Sequence, residues 1–182
     1  MTQISAPSAQ TVVDFWRASQ PHWFSKSAEF DQDFSQRFMD WHMAAARREL
    51  DAWMHDATGT LALLILLDQF PRNAFRNTGH MYATDSLARH IARQGIARGH
   101  MEQFEPALRV FFTLPFSHSE DLEDQELAVR LSVDFEPLAR HHAVEHRDIV
   151  QRFGRFPHRN PILLRQSSQE ELEFLSAGGF AG

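Results

Sequence analysis

Cysteine is absent from the 182 residues of the chain. Disulfides, thiolate metal sites and thiol nucleophiles are therefore out of consideration. No apolar run approaches the roughly 20 residues that span a bilayer; the most apolar stretch, Leu61 to Leu67, is far shorter and belongs in a buried core. The opening MTQISAPSAQ has neither a basic n-region nor an apolar h-region. A cytoplasmic location is expected, with residues 1–9 as a mobile lead-in and residues 10–182 as one domain. Basic charge is in deficit: the net charge of -6 disfavours general nucleic-acid binding, which depends on neutralising phosphates. Neither nucleic acid nor membrane is an expected partner. Also lacking are a P-loop, a dinucleotide fingerprint, a G-x-S-x-G elbow and any alternating pattern of strand length.

What is there has helical spacing. Phe30, Phe34, Phe38, Trp41 and Ala45 recur at steps of three and four, one face of a helix of about five turns. Val12, Val13, Phe15 and Trp16 form a shorter face before Pro21. Leu61 to Leu67 is apolar all round, as in a helix surrounded by others. Pro71 is expected to end that helix at Phe70, leaving Asp68 and Gln69 in its last turn. Thr84 or Asp85 starts the next helix and Gly99 ends it; a further helix begins at Pro106 and is expected to stop at Pro115. Ser119 is the expected N-cap of an acidic helix, and another helix runs from Pro137 to Phe153 with Gly154 beyond it. Ser167 or Ser168 with Glu170 or Glu171 forms a capping box for the last. The fold class is all-α, with about eight helices in one compact domain.

Two Phe-Pro turns carry the candidate chemistry. Phe70-Pro71-Arg72-Asn73 follows the buried run, and Phe156-Pro157-His158-Arg159-Asn160 repeats its lettering with one residue inserted. Around both, basic residues cluster without acids: Arg72, Arg76 and His80 between Asp68 and Asp85, and Arg152, Arg155, His158, Arg159 and Arg165 between Asp148 and Glu170. Arginine forks suit carboxylate or phosphate, so an anion pocket is one interpretation. The other is that these arginines pair with Asp68, Asp148 or the acidic stretch 120–136 inside the fold. Asp68 is either a desolvated base or a tie from a helix end to Arg72 or Arg159. His118, in a turn between two serines, is the better proton-transfer candidate, and His146 lies on the inward face of its helix. His142-Ala-Val-Glu145-His146 matches the H-x-x-E-H string of zinc peptidases but has no companion motif, so no metal or other cofactor is expected.

Five ordered blocks, LLDQFPRNAFR, YATD, LPFSHSEDLEDQE, HRDIVQRFGRFPHRNPILLR and SSQEELEFL, resemble the bacterial family known as domain of unknown function 924. The resemblance covers Val13 to Phe180. It implies helices in antiparallel hairpins, similar to a right-handed tetratricopeptide-type array, and brings no established activity. The family's polar positions fall here on Asp68, Gln69, Arg72 and Asn73, on His118, Ser119 and Glu120, and on His146, Asp148, Arg155, His158, Arg159 and Asn160. Together these readings predict that both turns and His118 converge on one pocket that binds a small phosphorylated or carboxylated metabolite, with hydrolysis of that metabolite as a further option. The rival is a helical-hairpin module that binds a peptide or protein, its polar cluster only locking helices together.

Overall fold

The computed structural model describes residues 8–182, and every regular element among them is helical. Eight helices follow one another: α1 (Ala9–Ala18), α2 (Ala28–Ala46), α3 (residues 57–74), α4 (Asp85–Ala97), α5 (Pro106–Ser117), α6 (Leu122–Leu131), α7 (Pro137–Phe153) and α8 (Gln169–Ser176). The lead-in predicted for residues 1–9 falls almost wholly outside the described residues. No helix among them is long and apolar enough to cross a membrane. By contacts the chain divides into two compact units, one of residues up to 76 with 80–115, the other of 77–79 with 116–182.

The first unit is built on aromatic and leucine burial. Phe30, Phe34, Phe38, Trp41 and Ala45 are all buried along α2, as their spacing predicts. Rings from several helices meet there: Trp16 lies 5.4 Å from Phe34 and 5.3 Å from Phe111, and Phe34 lies 5.1 Å from Phe70. Burying aromatic rings of this size supplies much of a core's driving force. Asp56 caps α3 by accepting from the Gly59 N–H at 2.7 Å, and every residue from Leu61 to Leu67 is buried.

Pro71 does not end α3. The segment is α-helical over Ala57–Leu64, π-helical over Ile65–Gln69 and α-helical again over Phe70–Ala74, with the proline inside. In the π stretch the Phe70 N–H donates to Ile65 O, five residues back. Leu66 O thereby loses its usual donor, and Leu67 O loses its own because Pro71 has no N–H. Two side chains fill the gaps: His42 Nδ1 donates to Leu66 O at 2.9 Å, and the Thr84 hydroxyl donates to Leu67 O at 2.5 Å. The helix continues because both orphaned carbonyls have substitute donors. Thr84, expected as a cap for α4, makes no side-chain cap bond. Pro115 likewise lies within α5 instead of stopping it. So near the C-terminal end, its missing N–H costs a single bond.

The second unit is smaller. Ile149, Val150 and Phe156 form its buried cluster, with Phe153, Phe174 and Phe180 packed against it. Asp121, not Ser119, is the N-cap of α6. Gly154 ends α7 in the left-handed region at φ 70°, which suits glycine. Pro157–Arg159 form a 3-10 turn, and Ser168 with Glu171 makes the predicted capping box of α8.

Candidate functional site

The first Phe-Pro turn is a charge clamp. Asp68 is only 1% exposed; its carboxylate lies 3.3 Å from Arg72 and accepts from Gln69 Nε2 at 2.6 Å. Arg72 then makes a forked pair with Asp85 at 2.8 and 3.0 Å, and its Nη1 also donates to Asp68 O at 2.8 Å. Burial opposes the Arg72 charge, but Asp68 and Asp85 outweigh it and raise its pKa above the usual arginine value. Asn73 Nδ2 donates to Gln69 O, and its Oδ1 accepts from Arg76, which forks onto Asp31 at 2.5 and 3.0 Å. Asp68 thus ties the helix to Arg72, the structural alternative for that residue. Asp31 and Asp85 belong to the same network and were not singled out from sequence; only the acid-free gap that Asp85 closes hinted at one of them.

Beside it sits a histidine pair, of which the sequence marked only His80. His42, buried on the aromatic face of α2, gives its Nδ1 proton to Leu66 O, so its neutral ring keeps a lone pair on Nε2. Nε2 is 3.4 Å from Nε2 of the exposed His80. Desolvation lowers the His42 pKa; the bond to Leu66 opposes this, and His80 adds to it.

In the second unit, two of the predicted ligand-binding residues form a tie of the same kind. Arg155 forks onto Glu171 at 2.6 and 2.8 Å, and Asn160 Nδ2 donates to Glu171 and to the Ser167 hydroxyl. Hydrogen bonds from Arg155, and further ones from the Ser168 N–H and Asn160, hold the Glu171 carboxyl down at about 2 despite burial. Glu120 accepts from the Phe156 N–H and from Arg165, while Arg152 pairs with Glu170 in the open. The acidic stretch therefore takes up Arg165 through Glu120 and Arg147 through Glu126, but Arg155 finds its carboxylate in α8. Asp148 is exposed and paired with Arg147 at 2.6 Å, at the surface.

The remaining predicted residues of this unit gather around His146. Its ring is buried, and Nδ1 has no hydrogen-bond partner. It meets Phe156 edge-on at 5.4 Å and Phe180 edge-on at 4.6 Å. His158 lies 5.6 Å from the same Phe156 ring and 5.2 Å from Phe180, and the Arg159 guanidinium stacks on Phe156 at 4.4 Å. Burial pushes the His146 pKa down to about 3, helped by His118, His142, Arg159 and His158, every one of them cationic or able to become so. Asn160 Oδ1, also buried, has no hydrogen-bond partner either. Thus His118 and His146 share one positive environment with His158 and Arg159 of the Phe-Pro turn. Phe180 is part of it, although nothing in the sequence marked it.

The family described as a bacterial protein of unknown function (DUF924) matches residues 12–179. A solved structure of a protein of unknown function, ATU0120 from Agrobacterium tumefaciens, is similar at 57% identity with a TM-score of 0.92, covering 93% of this chain and 97% of that one. No curated protein matches.

Proposed function

Because the chain belongs to the DUF924 family of bacterial proteins of unknown function, we propose from its own chemistry that it binds a small anionic metabolite, phosphorylated or carboxylated, in the second unit. The observation that carries this is His146: buried, with Nδ1 unpartnered, and sharing the Phe156 ring with His158 and Arg159, while His118 and His142 add to what lowers its pKa. A bound anion would oppose the burial that keeps His146 neutral and let it take up a proton and donate it. Arg159 supplies a planar fork for phosphate or carboxylate. His118, half-buried at its turn, is the group to move a proton if a bound ester is hydrolysed.

Calorimetric titration with inorganic phosphate, a phosphomonoester and succinate, of wild type and of Arg159→Lys and His146→Gln, tests the proposal. Binding in wild type that weakens about tenfold in either folded variant is the expected result, equivalent to about 1.4 kcal/mol. Equal binding in all three proteins, or none in wild type, refutes it.

A second reading, the interaction module, draws on the arginines: Arg72, Arg76, Arg152, Arg155 and Arg165 each hold a carboxylate. At the start of α7, Leu138 and the preceding Val133 are exposed, at an open concavity of about 460 Å³ lined by Val133, Phe135, Pro137, Arg140, His141 and Val144. If no anion binds, Leu138→Asp is the variant with which to test this surface.

A further inference from the structure

The rings about His146 come from two kinds of backbone. His146 is on α7, and Phe156 and His158 belong to the Phe-Pro turn, all in ordered local structure. Phe180 comes from the irregular segment after α8 and remains partly exposed. Two glycines bring it there. Gly178 turns the chain at φ 84°, and Gly179 passes so close to Phe174 that a Cβ would lie 2.5 Å from the ring. The backbone then continues to Gly182, where a Cβ would be 3.1 Å from the His158 imidazole. The Phe180 ring is thus delivered edge-on to both imidazoles, at 4.6 and 5.2 Å. A phenyl ring closes the cationic cluster, packed against Ile149, Val150 and Phe156 on a segment whose Gly179 N–H donates to Phe174 O.

A ring so placed marks a slot with aromatic shape and a cationic rim. An inorganic ion would use only the rim. A molecule with a ring joined to a phosphate or carboxylate would use both, gaining the apolar burial and edge-to-face contacts that Phe180 now makes.

We infer that the ligand of the His146 cluster is an anion carrying an aromatic ring, and that its ring takes the place of Phe180 between His146 and His158. This rests on the anion-binding proposal above and specifies its ligand class. Segment 179–182 is then a built-in occupant that the ligand displaces.

The test is titration of wild type, Phe180→Ala and Phe180→Leu with phenyl phosphate, inorganic phosphate and neutral benzyl alcohol, following the Gly179 and Gly182 amide resonances. Phenyl phosphate is expected to bind wild type about tenfold tighter than inorganic phosphate, moving both resonances, and to bind Phe180→Ala several-fold tighter again. Phe180→Leu keeps apolar packing against the core if the alanine variant fails to fold, and the same ranking of ligands is expected. Equal affinity for phenyl and inorganic phosphate overturns the aromatic inference and leaves anion binding standing. A Phe180→Ala variant that binds phenyl phosphate no tighter than wild type overturns the displacement of Phe180, and benzyl alcohol binding as tightly as phenyl phosphate overturns the anionic part of both proposals, since the slot is then a plain apolar cavity. No anion binding to any of the proteins removes both proposals together.

Discussion

The two Phe-Pro turns share a lettering and part company in their neighbours. Around Phe70-Pro71-Arg72-Asn73, each arginine meets a carboxylate: Arg72 has Asp68 and Asp85, and Arg76 has Asp31. At Phe156-Pro157-His158-Arg159-Asn160, the flanking Arg155 is answered by Glu171, while the turn itself offers a histidine between two phenyl rings and an arginine on a ring face. Both turns are held by carboxylates, but the second also carries a guanidinium on a ring face beside the buried His146, and that is where the candidate site lies. The motif's function is decided by what neighbouring helices bring to it.

The comparison can be broken most severely at Asp85. Asp85→Ala takes away the forked partner of a buried guanidinium, and a loss of about 3 kcal/mol in urea unfolding is expected. A loss below about 1 kcal/mol, the level of exposed pairs, would mean that the first turn is not a clamp.

His146 sharpens the other side. Its folded pKa of about 3 lies below the usual histidine value near 6.5, so burying it neutral stabilises the fold fully above pH ~6.5. That contribution is lost as the pH falls toward 3. Between pH 7 and 5, wild type is expected to lose about 2 kcal/mol from this group, a loss that His146→Phe does not share. Matching pH slopes for the two proteins in urea unfolding would show that the cluster does not hold its histidine as described. The smallest effect is expected at Arg152→Ala: its partner Glu170 is exposed, and removing the pair should change unfolding stability by about 0.5 kcal/mol or less.

Helix identity was legible in the sequence because apolar spacing and caps report burial directly. The α2 stripe, the Gly154 end of α7 and the Ser168–Glu171 box all stand where residue types predicted. Pro71 and Pro115 misled because a proline's cost depends on whether its orphaned carbonyls find donors. Those donors, His42 and Thr84, come from positions 24 and 17 residues away from the carbonyls they satisfy. Candidate site residues were legible as types but not as groups. Sequence spacing carries no sign that Arg72 meets Asp85, that Asp148 faces outward, or that Phe180 returns to His146. Such pairings depend on the path of the whole chain.

The π stretch at Ile65–Gln69 also acts as a phase setting. It fits one more residue into its turn than an α-helix would, so the residues beyond it stand about 100° from where an unbroken α-helix of the same sequence would put them. In such an unbroken helix Arg72 would point away from Asp85, although every letter of the Phe-Pro motif remained. The π turn before the motif is thus as much a part of its specification as the motif's residues.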